Sequence, residues 1–161
     1  MQPRRAHAYL LAAAMLWVLS THGAVAQSNN DLGTWVLNVA KSTYTQGPPP
    51  KSSTLRIEPA GRGVKVTVDQ VLQDGSKLHW EYTSYYDGKD SRVIGNNPNA
   101  DTVVRTRLNA ATIQTLNKKG GKVTTTNTAM ISADGKTRSI ATTGTDYLGQ
   151  KVYNIGVYEK R

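Results

Sequence analysis

The sequence predicts an all-β chain, an antiparallel up-and-down β-barrel of about ten strands. Three observations carry this. Beyond residue 30 the apolar residues recur with a period of two and not with that of a helix: Val64, Val66 and Val68 alternate with Lys65, Thr67 and Asp69, and Leu78, Trp80 and Tyr82 alternate with His79, Glu81 and Thr83. The runs are short and rich in Val, Thr, Ile and Tyr. Between them stand Asp74-Gly75, Asp87-Gly88, Gly120-Gly121 and Asp134-Gly135, pairs that suit the positive φ of tight hairpin turns. Sequential hairpins make neighbours antiparallel, and closure of the sheet removes its exposed edges. An open two-sheet sandwich is the alternative.

Taken in order, residues 1–26 read as a secretory signal peptide. Arg4 and Arg5 are followed by an apolar stretch from Ala8 to Leu19 and a small-x-small site, Ala24-Val25-Ala26. The apolar stretch falls short of the roughly 20 residues a membrane span needs. The expectation is export to a bacterial periplasm or exterior after cleavage near Ala26, leaving one barrel domain, 27–161, as a monomer. The strand-like runs are then 35–38, 54–59, 64–68, 78–82, 91–94, 102–108, 112–117, 123–132, 138–143 and 152–160. Two longer connections, 39–52 with Pro48-Pro49-Pro50 and the polar 95–101, are candidates for the rim of a barrel mouth.

Composition removes several function classes. The chain has no cysteine, so it has neither disulfides nor thiolate metal sites. Of its histidines, only His79 lies beyond the leader, too few for an imidazole metal centre. His79 alternates with Trp80 and Tyr82 and should face solvent if they face inward. Asp74, Asp87 and Asp134 belong to turns; Asp69, Glu81 and Glu159 alternate against apolar positions. No catalytic constellation stands out, and no cofactor motif is present. Loss of the leader takes the formal charge from +9 to about +7, scattered over the surface with no nucleic-acid-binding motif.

An interior remains. Parity places Leu78, Trp80, Tyr82, Ser84 and Tyr86 on one face, and Val152, Asn154, Gly156 and Tyr158 on another. For the run 102–108, Val103, Arg105 and Arg107 compete with Val104, Thr106 and Leu108 for the inward positions. Phe is absent, and the C-terminal strands are rich in Thr, as in Thr124-Thr125-Thr126. So little inward bulk leaves room for a cavity, unless Tyr side chains and a flattened barrel fill it. The candidate ligand-binding residues are Trp80, Tyr82, Tyr86, Arg105, Arg107, Asn154 and Tyr158.

Gly33-Thr34-Trp35 before the strands and Val157-Tyr158-Glu159-Lys160 at the end resemble the calycin superfamily, and more closely small exported lipocalin-like bacterial proteins. A more distant similarity is to fatty-acid-binding proteins. The resemblance implies a Trp35 that plugs the closed end, with Lys160 or Arg161 stacked on it. It also implies non-covalent binding of a small hydrophobic or amphipathic ligand. The sequence departs from the fatty-acid-binding pattern at Gly156, where that family places an Arg two residues before the Tyr, and in lacking room for a helical lid. Two other functions stay in view. One is an envelope structural or interaction module contacting anionic polymer or a partner protein through its basic surface. The other is a metal-free barrel enzyme acting on a bound lipid or pigment.

Overall fold

The computed structural model describes residues 30–161; the expected leader lies outside them. The described residues form eleven antiparallel strands in one sheet: β1 (Gly33–Leu37), β2 (Ser52–Ala60), β3 (Gly63–Val71), β4 (Lys77–Ser84), β5 (Asp87–Arg92), β6 (Ile94–Gly95), β7 (Thr102–Arg107), β8 (Thr112–Lys119), β9 (Lys122–Ile131), β10 (Thr137–Thr145) and β11 (Lys151–Lys160). A single 3-10 turn, Val39–Lys41, follows β1. Among the described residues no helix is long and apolar enough to cross a membrane.

The spatial order is β5-β7-β8-β9-β10-β11-β1-β2-β3-β4-β6. The first strand pairs with the last, Trp35 opposite Lys160 and Leu37 opposite Tyr158, so the sheet curls. Its two edges, β5 and β6, are consecutive in the chain and separated only by Val93. One kinked stretch, 87–95, thus pairs with β7 through its first part and with β4 through its last. The barrel is nearly closed, and the sandwich alternative is excluded. The seam depends on Gly95, at φ 107°, because a Cβ there would lie 2.2 Å from the His79 carbonyl oxygen.

Parity holds along most strands. Leu55, Ile57, Val64, Val66 and Tyr82 are buried in the core. On β7 the ambiguity resolves in favour of Val103 and Arg105, both buried, while Val104 and Thr106 are half-buried and Leu108 is exposed. One expectation is corrected. Asp87-Gly88 is not the hairpin turn. It lies inside β5, at an irregularity in the pairing with β7. The chain reverses earlier, at Tyr85 and Tyr86, and Tyr86 has φ 57°. That conformation is costly for a non-glycine residue and persists only where other contacts impose it. Here the Tyr86 hydroxyl is anchored on Asp31. The other Asp-Gly pairs do serve turns, with Asp74 and Asp134 accepting backbone N–H groups two residues on at 2.9 and 3.0 Å.

Gly95→Ala is expected to destabilise the fold by about 1–3 kcal/mol. It should also raise amide exchange in the β4–β6 seam above that in the β2–β3 hairpin. Denaturant unfolding with residue-resolved hydrogen exchange checks both.

Candidate functional site

Two ends of the barrel differ. At one end lie the β2–β3, β4–β5 and β9–β10 turns and the start of β1. Trp35, fully buried, closes this end. Its indole N–H donates to the Asp31 backbone oxygen at 3.0 Å. Lys160 Nζ stands 4.7 Å from the ring centroid and Arg138 5.7 Å, contacts worth about 0.5–2 kcal/mol each depending on desolvation. The Lys160 stem passes Gly33, where a Cβ would meet Lys160 Cε at 3.1 Å.

Beside Trp35 is a fully buried ionic cluster. Asp31 has no exposed surface. Its Oδ2 accepts from Arg105 Nη2 at 2.6 Å and from the Tyr86 hydroxyl, and its Oδ1 accepts from Arg138 Nη1. Arg105 Nη1 also donates to the Tyr82 hydroxyl at 3.3 Å. Burial pushes the Asp31 carboxyl up, but Arg105 and Arg138 outweigh it and hold the group well below the usual carboxylate range. Burial and the adjacent carboxylate push the Tyr86 phenol up against the pull of Arg105, which keeps it a neutral donor. Burial, with Arg105 nearby, lowers Arg138, whereas Tyr82 and Asp31 more than offset the burial of Arg105. Guanidinium is too strong a base for either to lose its proton at neutral pH. Two cations face one anion, so the cluster carries one net positive charge. Nε of both arginines is buried without a hydrogen-bond partner among the described residues.

Above this floor is a cavity of about 600 Å³, within the range of about 300–1,000 Å³ for small-molecule pockets. Its mouth lies at the opposite end. Pro48 and Pro50 from one expected rim segment and Asn97, Pro98 and Asn99 from the other line it. Gln73 in the β3–β4 turn ties the rim together by donating to the Pro49 oxygen at 2.7 Å. Of the seven candidate residues, Trp80, Tyr82, Arg105, Asn154 and Tyr158 line the cavity. Tyr86 and Arg107 do not. They lie under the floor, with the Arg107 guanidinium 4.7 Å from the Tyr86 ring centroid, because β7 runs past the plugged end before it turns. His79 is on the outer face, 56% exposed, with Nδ1 2.7 Å from Asp69 Oδ1.

Sequence reasoning missed Asp31, Arg138 and the amides and hydroxyls of β8 to β10. Asp31 precedes any strand and carries no pattern. Arg138 had a signal, since it shares strand parity with the apolar Ile140; the structure makes it the register partner of Tyr158 on β11. Arg138 on β10 thus stands beside Tyr158 on β11, two residues along the strand from Gly156. Burial pushes the Tyr158 phenol up, and its hydroxyl lies 3.3 Å from Ser53 Oγ.

Asp31→Asn would leave two guanidinia buried without a counter-ion. It is expected to cost about 3–5 kcal/mol in an unfolding titration. The pH dependence has a definite sign. The folded Asp31 carboxyl titrates below its unfolded value, so its contribution is complete above about pH 4 and is lost as the pH falls towards the folded value. The parent's stability should therefore fall on acidification below about pH 4 more steeply than that of Asp31→Asn.

Comparison with protein-family models, with curated proteins and with solved structures gave no match to this chain.

Proposed function

We propose that the barrel is a carrier that binds one small amphipathic anion non-covalently in its interior. The observation that carries this is a cavity with apolar side chains on one wall and a floor holding one uncompensated positive charge. Leu55, Val68, Leu78 and Trp80 supply the apolar contact. Arg105 and Arg138 both reach the cavity, and a buried cation without a full counter-charge favours entry of an anion over that of a neutral molecule. The Tyr44, Tyr86 and Tyr158 phenols, pushed up by burial, stay neutral and do not cancel that charge. The proline-bearing rim serves as the entry. In this reading the chain is exported after cleavage near Ala26 and works as a monomer in a bacterial periplasm or outside the cell, as a lipocalin-like protein.

Native mass spectrometry of the protein taken gently from the exporting cell should show a discrete mass excess that denaturation removes. With the purified protein, anilinonaphthalene sulfonate, an aromatic amphipathic anion, should bind with enhanced fluorescence. Arg105→Ala should weaken it by about tenfold or more, the equivalent of about 1.4 kcal/mol, while Arg107→Ala leaves it unchanged. Raising salt should alter the affinity little, because a buried charge is screened far less than an exposed one. A bare mass together with binding that collapses in salt would instead support contact with anionic polymer through the basic surface.

A further inference from the structure

The cavity's two walls differ in a way that narrows the ligand class, and this inference rests on the carrier reading above. Strand register places Asn154 beside Thr142, Thr142 beside Asn127, Asn127 beside Thr115, and Thr115 beside Arg105. All five line the cavity. They make one continuous polar rung across β11, β10, β9, β8 and β7. On the other side, register sets Leu55 beside Val68 and Val68 beside Trp80, an apolar rung across β2, β3 and β4. In the ring of strands these two arcs are separated by β1 on one side and by the kinked β5–β6 stretch on the other. They therefore face each other across the interior.

The polar rung is not consumed by its own hydrogen bonds. Arg105 Nη1 reaches Thr115 Oγ1 only at 3.5 Å, and Asn154 Oδ1 accepts from the Thr45 backbone N–H at 3.0 Å. At the centre of the rung, Asn127 Oδ1 is buried and has no partner among the described residues. A buried amide oxygen without a donor costs about 1–3 kcal/mol, and because Asn127 lines the cavity a turn of its amide towards the interior would let a ligand hydroxyl donate to it and remove the deficit. A flexible acyl chain has no such group along its length and would leave it in place.

We propose that the cavity is built for a facially amphipathic anion: a rigid apolar skeleton with hydroxyl groups along one face and a single anionic terminus. The hydroxyl face lies on Thr142, Asn127 and Thr115, the bare face on Leu55, Val68 and Trp80, and the terminus meets the positive charge at Arg105.

Three carboxylates separate the possibilities, each titrated below its micelle concentration. Cholate carries its hydroxyls on one face of a rigid skeleton. Lithocholate has the same skeleton and carboxylate but lacks the hydroxyls in the middle of that face. Palmitate is a flexible chain with no polar face. Cholate should bind about tenfold tighter than either of the others, although it is the least apolar of the three. Asn127→Leu should erase most of that preference and leave palmitate affinity unchanged or higher. Lithocholate or palmitate binding as tightly as cholate, or more tightly, would overturn the one-faced ligand while leaving the carrier reading intact. Failure of all three, and of anilinonaphthalene sulfonate, would overturn both.

Discussion

The interior is organised by one buried carboxylate. Asp31 lies ahead of the first strand, yet it binds Arg105 on β7, Arg138 on β10 and the hydroxyl of Tyr86 in the β4–β5 turn. None of these partners can be buried alone. A guanidinium withdrawn from water without a counter-ion costs several kcal/mol, so the inward parity of β7 and β10 is tolerable only when the N-terminal segment docks. Trp35 depends on the same docking, because its indole N–H is satisfied by the Asp31 backbone oxygen. The cluster ties the segment before β1 to both halves of the sheet and closes one end of the barrel.

That arrangement explains why the barrel is plugged at one end and hollow at the other. Near the plug the inward positions carry Trp35, Ile57, Ile113 and Ile131, all buried. Nearer the mouth they carry Thr, Asn and Gly on β8 to β11, too small to meet across the centre. The polar wall also limits what can fill the space. Water or a hydroxylated guest can satisfy Asn127 and Thr142, whereas a purely hydrocarbon guest strands them. The excess positive charge of the floor acts in the same direction at longer range, since the cluster is buried and screening by salt is weak there.

Much of the architecture was legible in the chain. Period-two alternation and Gly-bearing turns specify an antiparallel meander, because side chains on a pleated strand point to opposite faces and tight turns need residues that accept positive φ. The same alternation placed Trp80, Tyr82 and Tyr158 inward and His79 outward. It failed at Asp87-Gly88, where Gly serves an irregularity within a strand and a tyrosine takes the positive φ of the turn. It was silent on β9, where Thr124, Thr125, Thr126 and Asn127 are all polar. Parity cannot be read from a run in which both faces have the same character.

By itself the sequence determined the all-β class, the approximate number of strands and the position of most hairpins, since these depend on local patterning and turn chemistry. Only the tertiary structure decided which face of β7 turns inward, that the sheet closes through the single residue Val93, and that Asp31 sits between Arg105 and Arg138. It alone aligned Asn154, Thr142, Asn127, Thr115 and Arg105 into one rung. These are pairings between residues far apart in the chain. Their free energy comes from register and from the cost of leaving charges and amides unpaired in a buried interior, and no local stretch of sequence records either.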